Sequence, residues 1–165
     1  MGHSGEAKMS GRVEAIWVKR SFGGAMDPSV EVTLVAGKGI ERDASLGRAH
    51  RQVTVIEKEV FDRIRASLPA AEPAMRRANI MVSGVRLAES RNHVLTIGGV
   101  RILLQGETRP CERMDEQCPG LRDELAVGRR YPVGLVIKRV ELDVRHAERL
   151  ADGASERRLA GGALP

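Results

Sequence analysis

The sequence predicts a mainly β domain, a barrel-like sheet with peripheral helices, and three observations predict it. Apolar residues alternate with polar ones in about seven short runs, the signature of half-buried strands. Helical spacing is confined to a few short stretches, which places helices at the edge of the sheet. No segment repeats at a fixed period, which argues against a solenoid or a propeller. A chain of 165 residues, 42% hydrophobic and 30% charged, is the size of one domain able to bury a core.

Taken in order, Arg12-Val13-Glu14-Ala15-Ile16-Trp17-Val18 reads as a strand with Val13, Ala15 and Trp17 on one face. Gly23-Gly24-Ala25-Met26-Asp27-Pro28 reads as a loop, and Val30-Glu31-Val32-Thr33-Leu34-Val35 as a second strand. A polar, basic loop begins at Gly37-Lys38-Gly39 and runs to about residue 50. The run at 51–56 is β-rich and leads into 57–68, where Val60, Phe61, Ile64 and Leu68 fall at helical spacing until Pro69 and Pro73 end the helix. Two alternating runs flank Gly98-Gly99 and predict a hairpin. A short helix is expected at 119–126 and a strand at 133–144. The domain is expected at 11–145, with a disordered stretch at 1–10 and a frayed helix giving way to disorder at 146–165.

Composition narrows the function. No apolar run approaches the roughly 18 residues of a membrane span, so no membrane association is expected. Residues 1–8 lack the hydrophobic region of a secretory signal. Two cysteines, Cys111 and Cys118, do not make a disulfide framework, and a reducing cytoplasm is the expected compartment. The formal charge is +5, and all but five of the 27 basic residues are Arg, whose planar forks suit phosphate and carboxylate. Base composition of the gene would produce the same bias. Nucleic acid is not the expected partner, because Trp17, Phe22, Phe61 and Tyr131 are too few and scattered to serve as stacking platforms.

Cys111, in Arg109-Pro110-Cys111-Glu112-Arg113, is the leading candidate for chemistry. It follows the second hairpin strand, and flanking Arg109 and Arg113 favour the thiolate, the form that attacks sulfur and ligates metals, while Glu107 and Glu112 oppose them. The competing reading is a small buried hydrophobe. Cys118 lies at C-x6-C spacing, neither a redox pair nor a usual zinc half-site, and is expected to pack structurally. The four histidines form no ligand pattern, there is no Gly-x-Ser-x-Gly elbow, and Gly37-Lys38-Gly39 lacks a phosphate-loop ending. Basic patches occur at Lys38, Arg42, Arg48 and Arg51 and at Arg76-Arg77, whereas residues 101–131 hold six Arg and six acids. Each patch is a solvated surface unless the fold brings it to Cys111, where it would form a phosphate-recognition pocket.

Four stretches in order resemble the MOSC domain, named for the carboxy-terminal domain of molybdenum cofactor sulfurases. They are Val35-Ala36-Gly37-Lys38-Gly39-Ile40 with Asp43; Arg51-Gln52-Val53-Thr54-Val55-Ile56-Glu57; Arg76-Arg77-Ala78-Asn79-Ile80-Met81-Val82-Ser83-Gly84-Val85; and Pro110-Cys111 with Pro119-Gly120-Leu121 behind it. The resemblance implies a MOSC-type β-barrel that binds molybdenum cofactor of the molybdopterin type, with Cys111 as metal ligand and reactive residue, and Asp43, Arg51, Arg77, Asn79 and Arg109 about the cofactor. It also implies reduction of N-hydroxylated compounds by a monomer or homodimer supplied by an electron-donating reductase. The alternative it implies is a sulfur carrier, with a persulfide on Cys111 loaded by a sulfur-donating desulfurase; any pyridoxal phosphate link is by family association. This chain departs from the family at Arg42-Asp43-Ala44-Ser45, where a Gly-Asp commonly precedes a basic residue and His or Tyr, and at Ala78, where an acid often stands. It departs again at Gly128-Arg129-Arg130-Tyr131, in place of a Gly-Gly segment, and near 140–144, where a closing Gly-Asp is usual.

Overall fold

The structure, a computed structural model, describes residues 11–49, 51–88, 90–97, 100–127, 135–142 and 156–160. Over these the chain forms β1 (Arg12–Lys19), β2 (Met26–Ser29), β3 (Glu31–Val35), β4 (Gly39–Ile40), β5 (Val53–Glu57), α1 (Lys58–Ser67) and a 3-10 turn (Pro73–Arg76). There follow β6 (Ile80–Ser83), β7 (Val94–Ile97), β8 (Val100–Glu107), α2 (Arg113–Gln117), α3 (Leu121–Val127), β9 (Leu135–Leu142) and β10 (Glu156–Ala160). One sheet runs β2-β1-β6-β5-β9-β8-β7 and a second runs β10-β3-β4. No described helix is long and apolar enough to cross a membrane.

β5 and β6 pair in parallel, with Val55 opposite Ile80, and every other described pairing is antiparallel. A parallel pair needs a crossover, and α1 supplies it. All five residues of β5 are buried, as expected of a strand covered on both faces, Thr54 and Glu57 among them. Its two faces serve two cores. Val53 and Val55 join Ile80, Val82, Ile102 and Leu104, with Val32, Leu34 and Ile40 of the second sheet closing over them. Ile56, of opposite parity, meets Val60, Phe61 and Ile64 of α1 together with Met114, Cys118, Leu121 and Leu125. The helix predicted at 57–68 is thus α1, and the predicted hairpin is β7–β8, with Ile97 opposite Val100.

The closed barrel expected from the sequence is not what the described strands form. β2 and β7 are free edges of the larger sheet, and the core is closed by packing the smaller sheet over it. Pro28 explains one edge: without an N–H it cannot serve an inner ladder, yet it pairs with Trp17 on the outermost strand. The loop expected at 23–28 is therefore partly strand β2. In β1 the expected face of Val13, Ala15 and Trp17 is split by an irregularity between Val13 and Ala15. An extra residue exchanges the two sides of a strand, so Ile16 and Val18 join Val13 against the main core, while Trp17 and Lys19 turn away from it. The chain also forms α2, which no periodicity announced, and 156–160 is strand β10 on β3 rather than part of a frayed helix. The rest of the expected C-terminal tail, and the disorder expected at 1–10, fall outside the described residues.

Glu57 ends β5 with its side chain buried, and burial pushes its carboxyl above the ordinary value of 4.5, against a hydrogen bond from the Leu87 backbone. The folded protein therefore holds this proton to higher pH than the unfolded chain, so stability is lost as pH rises through the folded value. Urea unfolding of the wild type should show that decline as pH rises above the ordinary carboxyl value of 4.5, and Glu57→Gln should flatten it; parallel profiles would overturn the assignment.

Candidate thiol and anion site

Asn79 stands immediately before β6, between β1 and β5, and is 1% exposed. Its backbone N–H donates to Thr54 O at 2.9 Å, and its carbonyl accepts from the Trp17 N–H at 2.7 Å. Its side chain repeats the exchange with the same two neighbours: Oδ1 accepts from the Thr54 N–H at 3.1 Å, and Nδ2 donates to Trp17 O at 3.2 Å. The second Nδ2 hydrogen goes to Asp43 Oδ2 at 2.8 Å. Asp43, also buried, accepts further from the Lys19 N–H at 2.7 Å and the Ser45 N–H at 2.8 Å. This network fastens the 41–49 loop to the end of β1. The family's Asp and Asn positions thus hold the frame, and their hydrogen-bonding groups are turned inward.

Beside the network lies a group of cations from distant segments. The buried Lys19 donates through Nζ to Ser45 Oγ at 3.1 Å. Burial holds its amine below the ordinary lysine range, Asp43 works against that, and the positive charges of Arg77, Arg51 and Arg48 add to it. Arg76 is 4% exposed and donates through Nη2 to the carbonyl of Thr108 at 2.9 Å and to its hydroxyl. Burial pushes this guanidinium down to about 10, Arg51 pushes the same way, and Cys111 opposes. Its Nε is buried without a hydrogen-bond partner among the described residues. The ion pairs among the described residues, Arg12–Glu14, Arg20–Asp27, Lys58–Asp62 and Arg122–Glu112, all lie elsewhere, so Arg48, Arg51, Arg76 and Arg77 have no carboxylate partner there.

Cys111 is exposed at the exit of β8, whereas Cys118 is 3% exposed in the helix-side core. The segment carrying the thiol is fixed on both sides. Arg76 grips Thr108 before it, and behind it the Cys111 carbonyl accepts from the N–H of Met114, whose side chain is 1% exposed. Among the described residues no three His, Cys, Asp or Glu side chains gather as a metal cage.

Of the residues named from sequence, Arg51, Arg77 and Cys111 therefore belong to one electrostatic neighbourhood, and Asp43 and Asn79 underlie it. Arg109 is exposed in the loop before Cys111, and no hydrogen bond or ion pair among the described residues ties it to the cluster. The departure at Ala78 is packing: this residue is fully buried in the helix-side core, where an acid would be unpaired. Two participants were missed as individuals. Arg76 was passed over in favour of its neighbour, and Lys19 was counted only as charge; its signal was a cation ending an otherwise apolar strand.

The fold is a mainly β domain in which positive charges from distant segments act on the buried Lys19 and Arg76, and Arg76 interacts electrostatically with the exposed Cys111. The MOSC domain matches residues 42–143, and the chain belongs to that family. In fold it is similar to YuaD from Bacillus subtilis, with TM-score 0.66, 18% identity and 92% of each chain covered. It is also similar to YiiM from Geobacillus stearothermophilus, with TM-score 0.63, 14% identity, and 93% of this chain and 72% of that one covered. YiiM from Escherichia coli gives TM-score 0.58 and 13% identity, over 91% of this chain and 66% of that one. No curated protein matches the sequence.

Asn79→Ala strands a buried N–H and removes a partner from Asp43, and should cost about 3 kcal/mol in denaturant unfolding; a loss below about 1 kcal/mol would show that the network is not holding the frame. In the native protein iodoacetamide should alkylate Cys111 and spare Cys118, as read by peptide mass mapping. Equal labelling before unfolding would contradict the burial of Cys118.

Proposed function

We propose that the chain binds molybdenum cofactor of the molybdopterin type and acts in the reduction of N-hydroxylated compounds. The observation that carries this is the buried Arg76, which grips Thr108 in the loop before the exposed Cys111 and feels the charge of both Arg51 and Cys111. A soft thiolate suits molybdenum, and cations without carboxylate partners among the described residues suit the cofactor's phosphate. The residues present fit such a group: a reachable sulfur, a buried guanidinium nitrogen whose donor is unused among the described residues, and the positive charges of Arg77, Arg51 and Arg48 acting on the buried Lys19. Family membership supports the same cofactor.

In this reading Cys111 holds the metal, Arg51, Arg76 and Arg77 neutralise and orient the phosphate, and Asp43 and Asn79 keep the frame in register. When bound, the cofactor supplies two-electron oxygen-atom chemistry. The net reaction takes an N–OH group to N–H and water with two electrons and two protons, so an electron-donating reductase is the partner. A second reading has its own support. With Cys118 buried, Cys111 has no accessible second thiol on this chain with which to close a disulfide, which suits a persulfide carrier loaded by a desulfurase. Either role fits a reducing, cytoplasmic setting.

Purification from a host that makes the cofactor, followed by elemental analysis, should give stoichiometric molybdenum in the wild type and none in Cys111→Ala. Full metal in the variant overturns ligation by this residue. An intact mass heavier by one sulfur, on Cys111 and without metal, decides for the carrier.

A further inference from the structure

Phe22, one of only two phenylalanines in the chain, is 59% exposed at the turn joining β1 to β2. The Arg48 guanidinium carbon lies 4.1 Å from its ring centroid, which covers one face and leaves the other to solvent. The turn is closed by the Gly24 N–H donating to Ser21 O at 3.2 Å. It is clasped from outside as well: Arg77 Nη1 donates to Gly24 O, and Arg113 Nη1 to Gly23 O at 3.2 Å. Gly23 has φ +83, and a Cβ there would fall 2.6 Å from Arg113 Nη1, so only glycine allows this approach. One guanidinium group thus lies on the exposed ring, and two more from separate segments clasp the turn that carries it. Two of them, Arg48 and Arg77, also act on Lys19. The ring therefore stands at the rim of the cation cluster.

We propose that Phe22 is a stacking platform for the planar heteroaromatic ring of a phosphate-bearing ligand. The ring of the ligand lies on the face opposite Arg48, and Arg51, Arg76 and Arg77 take the phosphate; this rests on the anion-site reading above. A single exposed apolar residue needs no explanation. What distinguishes this one is that it rides on a hydrogen-bonded turn, with a guanidinium on one face, beside charge that a phosphate complements, which lowers the ordering cost of stacking. The chemistry is shared by the pterin of a cofactor and by a free nucleotide.

Calorimetric titration of the full chain with guanosine 5′-monophosphate and with ribose 5-phosphate separates the ring from the anion. The wild type should bind the nucleotide about tenfold tighter, the ordinary gain from one aromatic stack. Phe22→Ala should abolish that preference while leaving ribose 5-phosphate affinity unchanged, and Phe22→Trp should keep it. Equal affinities in the wild type, or a preference that survives Phe22→Ala, overturn the platform while ribose 5-phosphate binding leaves the anion site standing. Binding of neither probe overturns both. Pterin retained on purification from a cofactor-making host and lost in Phe22→Ala identifies the cofactor as the ligand; a nucleotide preference lost with pterin unaffected identifies a free nucleotide.

Discussion

Between β1 and β5 the chain places one residue that pairs twice with each neighbour. The main chain of Asn79 exchanges hydrogen bonds with Trp17 and Thr54, and its amide then takes the next donor and acceptor on the same two residues. The side chain behaves as an additional peptide unit, filling the ladder positions that the 3-10 turn ahead of β6 leaves open. A buried backbone group without a partner costs about 1–3 kcal/mol, and this amide serves two such groups while donating its remaining hydrogen to Asp43. Asp43 in turn orders the loop that carries Arg48 and Ser45. The frame beneath the cluster is thus inherited from a hydrogen-bond count, while Arg76 fixes the thiol-bearing segment through Thr108.

That count also decides the electrostatics. The acceptors of Asp43 engage Lys19 N–H, Ser45 N–H and Asn79 Nδ2, so the carboxylate near the cluster is committed to the frame. Lys19 and Arg76 are left buried among guanidinium groups, and both hold their protons less firmly than free side chains do. Self-repulsion of this kind is a stability cost in the empty protein. An anion that binds only the folded state reverses it and stabilises the fold by mass action. Burial is the largest cause of both shifts, and neighbouring positive charge adds to it.

What the sequence made legible follows from which signals are local. Alternation in 30–35, the helical spacing of Val60, Phe61 and Ile64, and the Gly-Gly hairpin each involve neighbours, and each appears in the structure. The faces of β1 were misassigned because one irregularity between Val13 and Ala15 exchanges them and leaves no mark in composition. Pro28 argued for a loop, and sheet position, a non-local property, made it an edge strand. At the site, Cys111 and the segments 51 and 76–77 were visible as family positions. That Arg76, rather than Arg77, grips the thiol-bearing loop depends on the half-turn by which the 3-10 turn ends, which no spacing rule resolves. Phe22 was legible only as a scattered ring, since its partners lie at 48, 77 and 113.

Arg77 shows how these demands meet. It adopts φ 60, a left-handed conformation that costs a non-glycine residue roughly 1–2 kcal/mol. The conformation is needed, because it ends the 3-10 turn and delivers Asn79 into the sheet. Glycine would supply it without strain. A glycine, however, has no guanidinium to reach Gly24 or to add charge beside Lys19. The strain is tolerated because the Asn79 network over-determines the backbone on its far side, so the side chain at 77 is available to hold the Phe22 turn. Stability spent at one φ angle is the physical trace of a residue kept for what its side chain does.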